Sequence, residues 1–173
     1  MYPKFAVLLA FAATLILPTS ADALGIRLLD QNAEATARAD AFAATADNPS
    51  AVYYNPAGIT QLDGTRVVLG AYGIHFNSRI DLEADGDPFD NKYDAQIVPQ
   101  LFATWQPSKG PLTFGIGLYS PFGLALEYDD DVPFRSLAHK GSMVYITLNP
   151  VVAWKITESL SVAAGPTVNY AKV

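Results

Sequence analysis

The chain has 173 residues, half of them apolar, with 11 Lys and Arg against 17 Asp and Glu and a net charge of −6. A surplus of acid leaves no basic patch to neutralise phosphates, which excludes a nucleic-acid partner. No cysteine is present, so neither a disulfide framework nor a thiolate-held metal centre can form.

Residues 1–23 read as a secretory signal peptide. Lys4 supplies one positive charge, residues 5–17 form an apolar run with Thr14 as its one polar member, and Ala21 and Ala23 place small residues at the cleavage-determining positions. The run falls short of the about 20 residues that a spanning helix needs, so cleavage after Ala23 is expected. Removal takes Lys4 and Asp22 together, and the mature charge stays at −6. After Leu17 no apolar stretch approaches helix-spanning length. The hydrophobicity is spread through short alternating segments, which favours membrane strands over membrane helices.

Residues 24–64 are rich in alanine and end on Tyr53, Tyr54, Asn55, Pro56, Ala57 and Gly58. Their pattern predicts one or two short helices and a compact turn, and no crossing strand. This segment is expected to be a separate N-terminal plug, with Phe42, Tyr53, Tyr54, Asn55, Pro56 and Ala57 as its candidate functional residues.

From Thr65 onward the period becomes two. A first strand is predicted over 65–76, with Val68, Gly70, Tyr72, Ile74 and Phe76 on one face, followed by a long acidic exposed loop over 77–94. In a second strand, 95–106, Ile97, Pro99, Leu101, Ala103 and Trp105 face lipid, against Gln96, Val98, Gln100, Phe102 and Thr104 toward the lumen. A short turn leads to a third strand, 112–119, with Leu112, Phe114, Ile116 and Leu118 outward and Thr113, Gly115, Gly117 and Tyr119 inward. Ser120, Pro121, Phe122 and Gly123 interrupt it, and a second long loop is predicted over 124–141. A fourth strand, 143–155, and a fifth, 160–173, are joined by a tight turn at Thr157, Glu158 and Ser159.

Long acidic loops thus alternate with short turns, and Trp105 and Trp154 both stand on the outward face just before a short turn. That is the arrangement of an outer-membrane barrel with a periplasmic aromatic girdle. The fold class expected is all-β, an antiparallel transmembrane β-barrel with residues 65–173 as its first five strands. Five is odd and below the minimum of about eight, so further strands are expected beyond Val173.

No catalytic constellation stands out, and no enzyme is expected. There is no nucleophile elbow, phosphate loop or zinc-protease motif, and Ser136 with His139 is a chance neighbourhood in a polar loop. Asp85, Asp87 and Asp90 surround Gly86 without the spacing or terminal Glu of a calcium loop, so no metal is assigned. The outward prolines Pro99, Pro150 and Pro166 each remove a ladder donor, marking either bulges or weak points in the wall.

The run from Ala46 to Ile59, with its Asn55-Pro56-Ala57 core, resembles the hatch signature of the FadL family, outer-membrane transporters of long-chain fatty acids and aromatic hydrocarbons. It follows an Ala-rich segment containing Ala37-Arg38-Ala39 and precedes barrel strands, in the family's order. Ala35-Thr36-Ala37-Arg38 departs from the Gly-Leu-Gly-Arg version of the early hatch motif found in some members. The resemblance implies a barrel of fourteen strands with a hatch in its lumen, of which this chain holds the hatch and about five strands. It also implies a kinked third strand beside a wall opening, at Ser120, Pro121, Phe122 and Gly123. Asn55 is expected to latch the hatch by bonding backbone groups left unpaired at that interruption.

The function expected is passive uptake of a hydrophobic small molecule across the outer membrane, by a protein that is monomeric at full length, meets lipid and lipopolysaccharide, and needs no cofactor. The alternatives are a structural or adhesive barrel and a general porin.

Overall fold

A computed structural model describes residues 27–82, 88–92, 95–107, 110–137 and 139–173. The expected signal peptide lies outside them, as do Asp85 and Asp87 of the weighed calcium loop.

The N-terminal segment consists of short helical pieces: α1 (Ala33–Ala37), a 3-10 turn η1 (Ala41–Ala44), α2 (Ala51–Tyr54) and a second 3-10 turn η2 (Pro56–Gln61). Asn32 starts α1 by accepting the Glu34 and Ala35 backbone N–H groups on its side-chain oxygen, which satisfies donors that a helix start leaves open. Pro56 opens η2, where its missing N–H costs nothing. The segment packs on one face of a seven-stranded antiparallel sheet, and Phe42, Val52, Ile59 and Leu62 join Phe102, Tyr119, Val151 and Ala153 in one buried cluster.

The sheet is a wall of five strands, two of them broken. β1 (Thr65–His75) pairs with β4 (Ala95–Trp105), which pairs with β5 (Leu112–Tyr119). β7 (Lys140–Lys155) carries β5 and then β6 (Gly123–Glu127) along one edge, and β8 (Ser161–Ala164) and β9 (Val168–Lys172) along the other. A small hairpin, β2 (Arg79–Ile80) with β3 (Phe89–Asp90), stands apart from the wall.

Strand alternation is as the sequence predicts. In β4, Phe102 and Thr104 are buried on the inner face while Ile97 is 76% and Trp105 52% exposed on the outer one. In β5 and β7 the outward rows Phe114, Ile116, Leu118 and Val144, Ile146, Leu148 are exposed, against buried Thr113, Tyr119, Thr147 and Asn149. Trp105 stacks on Phe114 at 5.6 Å between ring centroids, beside the short turn that joins their strands.

Three boundaries differ from expectation. The first long loop carries the β2–β3 hairpin, held by paired Arg79 and Asp90. The second is shorter than predicted, because the third strand resumes as β6 and β7 begins at Lys140. The fifth strand breaks between Ala164 and Val168. The pairs Val152↔Ala164 and Leu148↔Val168 share one register, which sets Pro166 opposite Pro150. Two prolines facing each other offer no N–H to the ladder from either side, so pairing stops there without a register change.

Candidate functional site

The break in the third strand does change the register. Tyr119 pairs with Thr147 and Gly123 with Val144, so Ser120, Pro121 and Phe122 stand opposite only Tyr145 and Ile146. One extra residue inverts the strand's in–out parity, because side chains alternate with a period of two. Gly123 has φ of 151°, a backbone conformation closed to residues with a Cβ, and it lets the strand re-enter the ladder. Its neighbour on the other side does not follow: β4 pairs with the third strand only up to Leu101↔Leu118. Beyond that pair, the described bond between them is Gln96 Nε2 donating to the Ala125 carbonyl at 3.3 Å.

A window is left in the wall. It opens into a cavity of about 470 Å³, lined by Ile97, Leu118 and Val144 of the outward face and by Val98, Tyr119 and Tyr145 of the inward face. Phe122 packs edge-on against Tyr145 at 5.1 Å on its rim.

The N-terminal segment closes on the same place. Leu28 N donates to the Pro121 carbonyl at 2.8 Å, and Gln31 Nε2 donates to the Ser120 carbonyl at 3.2 Å. The expected contact from Asn55 is absent: its side-chain nitrogen donates instead to the Ala43 carbonyl at 2.9 Å, tying η2 to η1 within the segment. The short Asn side chain starts from the turn between α2 and η2, whereas Leu28 and Gln31 belong to the extended chain ahead of α1. The carbonyls at the strand interruption are met from the N-terminal segment by Leu28 and Gln31, and not by Asn55. Nothing in the sequence distinguishes Gln31, whose importance comes from a contact 89 residues away.

The aromatic candidates Phe42, Tyr53 and Tyr54 form one line of rings with Tyr119 and Phe102. Phe42 meets Tyr54 at 5.5 Å, Tyr54 meets Tyr53 at 4.8 Å, Tyr53 meets Tyr119 at 5.0 Å, and Tyr119 stacks on Phe102 at 5.7 Å. The chain of aromatic contacts runs from the N-terminal segment to the inner rim of the window. Arg27 lies 5.2 Å over the Tyr53 ring. The Tyr54 hydroxyl accepts from Gln31 N at 2.9 Å, and burial holds its proton on well above the usual phenol range. Pro56 and Ala57 lie away from the rings. Ala57 borders a smaller polar cleft with Thr60, Lys155 and Ser161, in which the Thr60 and Ser161 hydroxyls are 2.9 Å apart.

At the opposite end of the wall, charges clasp the window's outer sill. β7 has 16 residues, more than the about 9–11 that cross hydrocarbon, so with Trp154 at one interface Lys140 stands clear of the membrane at the other. Glu127 pairs with Lys140 at 2.6 Å and with Lys92 at 3.0 Å, and Lys92 N donates to the Glu127 carbonyl at 2.8 Å. Hydrogen bonds from the two ammonium groups lower the Glu127 pKa to about 2. Nearby, Phe134 meets Phe89 at 5.6 Å and Tyr128 at 5.2 Å, so the two outer loops pack on each other. His139 faces Asp130 at 3.6 Å.

The model of the family described as outer membrane protein transport protein (OMPP1/FadL/TodX) matches residues 14–173. The chain belongs to this family. An outer membrane protein of Neisseria meningitidis serogroup B is 32% identical over 135 residues, covering 73% of the chain and 28% of that relative. Outer membrane protein P1 of Haemophilus influenzae is 29% identical, covering 98% of the chain and 41% of the relative. The chain thus spans about a quarter to two fifths of the length of these relatives. The crystal structure of a Pseudomonas aeruginosa FadL homologue superposes with a TM-score of 0.53 at 17% identity, over 72% of the chain and 33% of that structure. The wall described above is accordingly part of an antiparallel transmembrane β-barrel, and the protein is located in the outer membrane.

Proposed function

We propose that this chain supplies the hatch and the first wall strands of a passive outer-membrane channel for hydrophobic compounds such as long-chain fatty acids or aromatic hydrocarbons. The observation that carries the reading is the apolar cavity at the third-strand interruption, lined from both faces of the wall. A pocket reachable from lumen and lipid alike suits a ligand that leaves sideways into the membrane.

Physical chemistry supplies the drive. Each CH₂ moved from water into an apolar site gains about 0.8 kcal/mol, so an acyl chain is captured with no energy source. Release needs a path to a still larger apolar phase, which the bilayer provides. Residues 24–64 act as the hatch, with Leu28 and Gln31 as its ties to the kink and Asn55 as an internal brace. Ser120, Pro121, Phe122 and Gly123 hold the window open by breaking the ladder. The channel is a non-enzymatic monomer that needs no cofactor and meets lipopolysaccharide only as surrounding lipid.

The deciding experiment compares uptake of labelled oleate and toluene in cells with and without the full-length protein. Faster uptake of either with the protein present is expected. Unchanged rates for both would favour a structural or adhesive barrel or a porin for polar solutes, and would overturn the reading.

A further inference from the structure

Among the described residues, one fully buried polar group that lines the window is left without a partner. Gln100 is 5% exposed and forms part of the cavity wall, and its Nε2 has no hydrogen-bond acceptor among the described residues. A buried amide donor without a partner is costly, since it gives up water and receives nothing in exchange. The other inward residues of that stretch are accounted for differently: Gln96 donates to Ala125 O, Tyr119 OH donates to Asn149 Oδ1 at 3.4 Å, and Val98 is apolar.

The fold makes room for this amide. Gly70 is the cross-strand partner of Gln100, and a Cβ at Gly70 would lie 2.9 Å from Gln100 Oε1. The absence of a side chain there sets where the amide rests. Its terminal torsion is a soft, two-fold well, so the nitrogen can turn toward a cavity occupant at little cost.

We infer that Gln100 is a specificity-determining residue of the window: it donates a hydrogen bond to ligands that carry an acceptor on an apolar body, and so favours them over plain hydrocarbons. A carbonyl, ester, hydroxyl or carboxylate oxygen meets the need, and an alkane or alkylbenzene leaves the donor unmatched. Sites that hydrogen-bond a ligand group discriminate strongly against the analogue lacking it, because their own buried group is then left unpaired. The inference rests on the proposed passage of ligands through the window, and it adds which of them are held there.

The test uses the purified full-length protein in nanodiscs and a matched pair, 2-undecanone and undecane, equal in carbon count and differing by one acceptor oxygen. Binding is measured by equilibrium dialysis with empty nanodiscs subtracted. Gln100→Met keeps the length of the side chain and removes the donor. It is expected to weaken 2-undecanone about fivefold or more and to leave undecane unchanged, the ratio of one net hydrogen bond. Gly70→Ala is the second variant. It displaces the amide without altering Gln100, folds because only the tip of a flexible side chain must yield, and is expected to lower the 2-undecanone to undecane ratio in the same direction. Equal weakening of both ligands by Gln100→Met would make Gln100 a packing residue, and an unchanged ratio in both variants would mean that water or another part of the barrel satisfies the donor. Either result overturns the inference. A ratio that falls as expected in a protein that does not accelerate cellular uptake would instead overturn the transport reading alone.

Discussion

The side-chain amide of Gln31 donates to the Ser120 carbonyl at 3.2 Å, joining the start of the N-terminal segment to the residue at which the third strand leaves its ladder. Together with Leu28 N on Pro121 O, this satisfies two carbonyls that the strand break would leave open. The geometry couples the position of the segment to the shape of the window. Gln31→Met removes one side of that coupling while keeping the side chain's length. In the full-length protein it should speed hydrogen exchange over residues 27–37 about fivefold, the effect of about 1 kcal/mol, and leave the melting of the barrel unchanged. Exchange unchanged in that stretch would show that Leu28 alone fixes it.

The other end of the N-terminal segment is docked by close packing. A Cβ at Gly115 would stand 2.7 Å from Val52 Cγ2 and 3.0 Å from Ile59 Cδ1, both on buried side chains. Gly115→Val is therefore expected to push α2 and η2 off the wall, at a cost of about 1–3 kcal/mol. Limited proteolysis should then cut within residues 51–62 before it cuts the strands. Resistance equal to that of the unaltered protein would refute the packing argument.

Much of this architecture is legible in the sequence because a strand with one face in lipid and one in the lumen must alternate. Val144, Ile146 and Leu148 against Tyr145, Thr147 and Asn149 state the orientation of β7 outright. The interruption at residues 120–123 is equally plain, since Pro121 and Gly123 punctuate an otherwise regular pattern. That the strand resumes after it, shifted by one, is not readable: the shift is set by pairing with Val144 on another strand. Gln31, Gln100 and Glu127 escape for the same reason. Each looks like an ordinary polar residue until the fold brings Ser120, Gly70 or Lys92 beside it.

Asn55 shows how a correct motif can carry a wrong contact. Its Nδ2 bond to Ala43 O braces η1 against η2, and the bond is solvent-exposed. Asn55→Ala should leave surface abundance of the full-length protein intact and accelerate exchange at the Thr45 and Ala46 amides, which donate to Phe42 O beside it. If the substitution also changes oleate uptake several-fold at equal abundance, the brace within the N-terminal segment matters for passage. Lost uptake matched by lost protein would reduce Asn55 to a folding residue.

The clasp at the outer sill gives a pH dependence whose sign can be worked out. Glu127 is held at about 2 by Lys140 and Lys92, against the ordinary glutamate range near 4.3. A carboxyl depressed in the folded state contributes stability that is fully present above its unfolded value and is lost as pH falls through its folded one. The join between the β6 end, Lys92 and Lys140 should therefore be constant from pH 7 to about 5 and fail between about 4 and 2. The partners are partly exposed, so salt should weaken the clasp as well. The measurement is cleavage of the outer loops by pepsin, which works below about pH 4.7, where its aspartate pair keeps one proton, on intact cells carrying the full-length protein, with the two proteins compared at the same pH. Glu127→Gln keeps the shape and removes the charge, and at about pH 4 it should be cut faster than the unaltered protein, the two rates converging near pH 2. Equal cleavage of the two proteins at that pH would mean that the Phe89, Phe134 and Tyr128 rings, and not the charges, hold the loops together.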